Sequence, residues 1–198
     1  MIVKGSSNTD YQQVEPGTYL ARCIKVIDIG THESEFQGKP VSRRQVVLEW
    51  ELPTEEVTQG EAAGRPLTIR KFYTASLGDK ANLRHDLVTW RGRDFTPEEL
   101  AGFDLENILG VPCMLTVTET ETGRRKVSGV AKLPKGMEAP AQINPSILFD
   151  LDDFDSGIFA DLSDWFKETI SQSPEYQALS DGGFSYPCSP DGSDVIPF

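Results

Sequence analysis

With two histidines and three cysteines, the chain has few of the side chains from which catalytic and metal centres are usually built. Cys23, Cys113 and Cys188 are odd in number, far apart and never in a C-x-x-C pair, so neither a disulfide framework nor a zinc site is indicated. No apolar run approaches the roughly 18 residues of a membrane span, and MIVKGSSNTD lacks the basic-then-apolar pattern of a secretion signal. A cytoplasmic protein with reduced thiols and no membrane partner is expected. The G-x-x-x-x-G-K-[ST], G-x-G-x-x-G and G-x-S-x-G motifs are missing, which removes the phosphate-loop and serine-hydrolase readings. His32 in a polar segment and His85 on the polar side of a helix read as solvated. Asp150, Asp152, Asp153 and Asp155 crowd together without the spacing of a calcium loop, so no metal or other cofactor is expected, and no catalytic constellation emerges.

The net charge of -12 is unevenly distributed. Residues 1–138 hold 18 Lys/Arg against 20 Asp/Glu, whereas residues 139–198 hold Lys167 alone against 11 acids. A nearly neutral body therefore carries an acidic arm, a division usual where a tail addresses partners. The expected layout is a folded domain over 1–145, an acidic helical extension over 146–179 and a flexible acidic tail over 180–198.

TYLARCIKVIDIG after Pro16-Gly17 reads as a strand, THESEFQGKPVS as a loop, and RRQVVLEWELP as a second strand with Val46, Leu48, Trp50 and Leu52 on one face. RPLTIRKFYT is a third strand. The period then changes: Leu83, Leu87 and Trp90 fall at helical spacing, with Asp79 placed to cap the start and Gly92 the end. TPEEL is a capping box, DLENILG a short turn, and the segment from Pro112 to Pro134 a hairpin around Thr122-Gly123. Three strands, a helix and two strands fit a mainly β fold, the five-stranded Greek-key oligonucleotide/oligosaccharide-binding (OB) barrel with a helix between strands three and four. Past Pro140, IFADLSDWFKETI reads as one helix whose stripe of Ile158, Leu162, Trp165 and Thr169 has Phe159, Phe166 and Ile170 beside it. That apolar face packs either on its own barrel or on a second copy in a homo-oligomer. Pro174 ends the pattern.

Cations interleaved with aromatics carry the function. Arg70, Lys71, Phe72 and Tyr73 lie together on the third strand, Arg43 and Arg44 open the second, and Arg124, Arg125 and Lys126 form the tip of the last hairpin. Single-stranded nucleic acid needs that mixture, because cations follow the phosphates while aromatic faces stack on bases of any identity. Alternation puts Arg70 and Phe72 on one face and Lys71 and Tyr73 on the other; which looks outward is open. Trp50 and Trp90 read as core, and Arg84, Arg91 and Arg93 as either more footprint or a solvated helix face.

DVIPF, with Asp194, Val195, Ile196, Pro197 and Phe198, resembles the acidic Ile-Pro-Phe tip of bacterial single-stranded DNA-binding proteins, although Val195 stands where that tip usually has another acid. GTYLARCIKVIDIG and KANLRHDLVTWRG make the whole chain similar to phage-encoded single-stranded DNA-binding proteins. The resemblance implies an OB barrel that coats single-stranded DNA in phage replication and recombination inside the bacterial cytoplasm, and a tip that recruits replication and repair enzymes. An acidic inhibitor that mimics DNA is the competing reading, opposed by the near-neutral body.

Overall fold

The computed structural model describes residues 12–36 and 38–181. The protein is mainly β. β1 (Gly17–Phe36), β2 (Lys39–Glu56), β3 (Pro66–Thr74), β4 (Pro112–Glu119) and β5 (Arg125–Ala131) pair in the order β3-β2-β1-β4-β5, every neighbour antiparallel. A short β6 (Ile147–Phe149) joins in parallel alongside Lys25–Ile27 of β1. β4 takes the first six residues of β1 on that same edge, so the long strand serves two partners in succession. Register shifts between Cys23 and Lys25 and between Asp28 and Gly30 bend β1 between them. β3 and β5 end the sheet and come within 8 Å of each other, with no ladder between them.

The second strand keeps the faces its alternation predicts. Val46, Leu48, Trp50 and Leu52 are buried with Ala21, Cys23, Leu115 and Val130 in the larger of two cores. α1 (Asn82–Arg91) closes this core with Leu83, Leu87 and Trp90; the Trp90 indole N–H donates to the Pro112 carbonyl at 2.9 Å, and Gly92 ends the helix in the left-handed region at φ 71°. The expected Asp79 cap is not formed: the helix starts three residues later, at Asn82, and Asp79 pairs with Arg84 instead. α2 (Pro97–Ala101) has the complete Thr96/Glu99 capping box.

Two segments differ from their sequence patterns. Residues 31–36 and 39–42 are not a loop but continue β1 and β2 as a two-stranded ribbon, pairing Thr31 with Arg44 through Phe36 with Lys39. Backbone pairing requires no apolar alternation, so a polar ribbon outside the core carries no period-two signal. The apolar stretch 158–170 is two helices, α3 (Ser156–Asp161) and α4 (Asp164–Ser171), because Leu162 and Ser163 are extended. This break buries Leu162, Phe166 and Ile170, and leaves Trp165 outside the stripe. Pro174 opens a further helix, α5 (Pro174–Asp181), where the Ser173 hydroxyl accepts from the Tyr176 N–H at 3.2 Å.

Residues 147–181 lie on the chain's own sheet. Ile27, Ile29 and Val47 form a second core with Phe149, Leu151, Leu162, Phe166, Ile170 and Tyr176. Three polar anchors fix the cover. Glu51, fully buried, accepts from the Ile143 and Asn144 backbone N–H groups at 2.9 and 2.8 Å and from the Asn144 amide at 2.8 Å. Arg44 bridges Asp28 of β1 to Asp152. Glu175 accepts from the Thr31 N–H and hydroxyl; burial opposes its ionisation, but these hydrogen bonds outweigh it and hold the carboxyl below its ordinary value. Gly30 (φ 79°) is held against Ser173, where a Cβ would collide.

Trp50 is fully buried against Trp90, with ring centroids 6.1 Å apart. Trp50→Ala is expected to cost about 3–5 kcal/mol in urea unfolding; a loss under about 1 kcal/mol would contradict its place in the core.

Candidate nucleic-acid interface

β3 has two unlike faces. Pairing of Val46 with Tyr73 and Leu48 with Lys71 turns those two residues toward the larger core, whereas Val47 opposite Phe72 and Glu49 opposite Arg70 share the outer face. Tyr73 is 3% exposed and donates to an Asp86 carboxylate oxygen at 2.7 Å; Lys71 meets the same oxygen at 2.6 Å. Burial, then the Asp86 charge, pushes the Tyr73 phenol well above its ordinary pKa. Neither residue presents a free stacking face or a free cation.

The outer face gathers the other two. The Arg70 guanidinium sits 4.7 Å from the Trp165 ring centroid and 5.5 Å from that of Phe166. Phe72 meets Trp165 edge to face at 5.6 Å and 82°. Phe72 and Trp165 remain 45% and 41% exposed, so two aromatic rings and a cation share one solvent-facing platform built from β3 and α4. Trp165 was not among the residues that the sequence singles out for binding. The available signal was the spacing of Leu162, Phe166 and Ile170, which forms a complete buried stripe and leaves position 165 outside it.

Beside the platform runs a groove of about 1370 Å³, bordered by the 57–65 loop, by β3 from Pro66 to Arg70, and by Asn144, Ser163 and Phe166. Lys25 and Glu49 pair across its floor at 2.7 Å and neutralise each other. Arg65 and Arg70 line the β3 side.

The remaining candidates are dispersed. Arg44 is held by Asp28, Asp152 and Asp150; its hydrogen bonds to Asp28 and Asp152 raise its pKa above the usual arginine value, and it is committed to the fold. Arg43 is exposed on the ribbon opposite His32. Arg125 pairs with Glu119 and Glu15, while Arg124 and Lys126 are exposed near the β4–β5 turn. Arg84 pairs with Asp79 and Asp94; Arg91 and Arg93 share Glu99, with Arg91 stacked 4.4 Å from the Phe95 ring centroid. His85 is largely exposed, and the His32 ring contacts the Ile29 carbonyl at 2.8 Å. Three of the acids that crowd residues 150–155 serve the fold: Asp150 and Asp152 meet Arg44, and Asp155 accepts from the Gly157 and Ile158 N–H groups at the start of α3. The tip, Asp194 to Phe198, lies outside the described residues. No helix among those residues is long and apolar enough to cross a membrane.

No family model matches the chain, and no curated protein matches it in sequence.

Of the three tryptophans, Trp50 and Trp90 are 0% and 4% exposed, so collisional quenching by acrylamide is expected to act almost entirely on Trp165. Trp165→Phe should remove the readily quenched fraction of the emission. Quenching unchanged by that substitution would place the exposed ring elsewhere.

Proposed function

We propose that the chain is a non-enzymatic single-stranded DNA-binding protein that takes the strand along the exposed outer face of β3, beside Trp165 of α4. The observation that carries this reading is the platform itself: Arg70 against Trp165, with Phe72 exposed beside them, at the edge of a groove that Arg70 lines. Aromatic faces take bases irrespective of sequence at roughly 1–3 kcal/mol each, and a cation between them follows the backbone. The strand order supports an OB barrel: a sheet running β3-β2-β1-β4-β5 with its ends adjacent and a helix between β3 and β4 follows the five-stranded Greek key, whose second and third strands form the oligonucleotide-binding face. Because Trp165 stands on α4, the proposed footprint reaches beyond residues 1–145 into the acidic extension. Residues 194–198 are proposed to recruit replication or repair enzymes, on the strength of their sequence: Phe198 suits an apolar pocket, Asp194 and the terminal carboxylate suit a basic rim, and Pro197 reduces the entropy lost on docking.

Oligothymidine added to the protein should quench Trp165, with affinity falling as salt rises at a log–log slope of about -0.7 per phosphate neutralised, and a duplex of the same length should bind much more weakly. Arg70→Glu should weaken binding at least tenfold with little change in melting temperature, a tenfold loss corresponding to about 1.4 kcal/mol. Salt-independent affinity, or equal affinity for duplex, contradicts the proposal.

Deleting residues 194–198 should leave oligothymidine affinity intact or slightly raised while removing replication or repair enzymes from a pulldown out of bacterial extract. An unchanged set of captured proteins, or loss of most DNA affinity, counts against the tip as a partner peptide.

A further inference from the structure

The groove continues the platform in one direction. Arg70 belongs to both, since it meets the Trp165 ring and also lines the groove. The other arginine along the groove is Arg65, exposed and placed directly before β3, where the 57–65 loop closes. Thr68, opposite Glu51 and so on the same face as Arg70, lies exposed between them, and its short polar side chain leaves the path open. Glu49, the acid directly across from Arg70, is taken up by Lys25 at 2.7 Å; Glu61 is the other acid that borders the groove.

The end that carries Arg65 is braced. The Val57 N–H donates to the Arg65 carbonyl at 2.8 Å and the Gly64 N–H to the Val57 carbonyl at 2.9 Å, closing the loop at its base. The Gln12 side chain ties the opposite arm, donating to the Glu56 carbonyl at 3.1 Å and accepting from the Thr58 N–H at 2.7 Å. Arg65 therefore leaves a fixed backbone, and the strand sets its distance from Arg70. Arg70 is five residues on from Arg65 and Phe72 two further, so the spacings are about 17 Å to Arg70 and about 23 Å to Phe72. A strand stacked as in B-DNA advances about 3.4 Å per nucleotide, and one whose bases are splayed onto a protein surface about twice that. We infer that Arg65 is a second phosphate subsite, about two or three nucleotides along the strand from the one at Arg70, so that the site takes about four nucleotides and the groove directs the strand away from the platform. This rests on the single-stranded DNA-binding reading above.

The test compares the full chain with Arg65→Ala, Arg65→Lys and Arg70→Ala on two probes. Thymidine dinucleotide, with its one internucleotide phosphate, reaches only the platform, whereas the hexanucleotide spans the groove. Binding is read from Trp165 quenching across a salt series, with melting temperatures alongside. Arg70→Ala should weaken both probes. Arg65→Ala should leave the dinucleotide within about twofold, weaken the hexanucleotide roughly three- to tenfold at 0.1 M salt and lower the steepness of its log–log salt dependence by about 0.7, one phosphate contact fewer. Arg65→Lys, which keeps the charge, should keep that steepness. Equal losses from Arg65→Ala on both probes, or a loss on neither, overturn the subsite and leave the proposed function standing. If the unaltered chain shows no salt-dependent quenching with the hexanucleotide, or Arg70→Ala spares both probes, the subsite and the proposed function fall together.

Discussion

The two-sided burial of the β1–β2 pair is the constraint on which the rest depends. One face carries Val26, Val46, Leu48 and Trp50 into the larger core, and the other carries Ile27, Ile29 and Val47, which would be an exposed apolar patch without a cover. Residues 147–181 are that cover. Its entry is set by a buried carboxylate: Glu51, paired across the strands with Arg22, receives three N–H groups from residues 143 and 144 and turns the chain onto the back of the sheet, where β6 adds to β1. Three donors offset the cost of burying that charge, and loss of the carboxylate would leave those donors without their partner. Docking of α4 and the position of Trp165 follow from this turn.

The charge asymmetry of the chain acquires a different meaning in this light. Eleven acids past residue 139 suggest an arm that stays in solvent. Asp150 and Asp152 are instead drawn to Arg44, and Glu175 to Thr31, so part of the acidity holds the extension onto the body. A pair such as Arg44 and Asp152, 108 positions apart, leaves no trace in a count along the chain. The same contact removes Arg44 from the cations available to a ligand. Exposure, rather than composition, separates Arg70 from Arg44.

What was legible in the sequence was whatever depends on near neighbours. The faces of β2, the stripe of Leu83, Leu87 and Trp90, the Thr96/Glu99 box and the turn near Gly123 all appear as local spacing. Absent from the pattern were features set by distant partners: the polar ribbon of residues 31–36 and 39–42, whose only requirement is backbone pairing, and β6, three residues long, which is a strand because β1 offers it an edge. The break at Leu162-Ser163 belongs with these. A continuous helix is what apolar spacing favours, yet two short helices better wrap a twisted sheet while bringing Phe159 and Phe166 to one core. Of the candidate binding residues, Phe72 and Tyr73 were indistinguishable by composition, and the register with β2 separated them.

The proposed platform is composite, joining Arg70 and Phe72 to a tryptophan more than ninety positions later in the chain. Docking of α4 and binding of a strand are therefore thermodynamically linked: a ligand that touches both β3 and Trp165 favours the docked extension by its differential affinity and nothing more. Were the extension a competitor for the same cations, the linkage would carry the opposite sign, and binding would release it. The geometry favours the first sign, because the contacts Arg70 makes with the extension are to the rings of Trp165 and Phe166. A cation held by π faces keeps its charge unneutralised, whereas one held by an aspartate, as Arg44 is, has already been neutralised. The extension thus positions the arginine that the ligand meets without cancelling it.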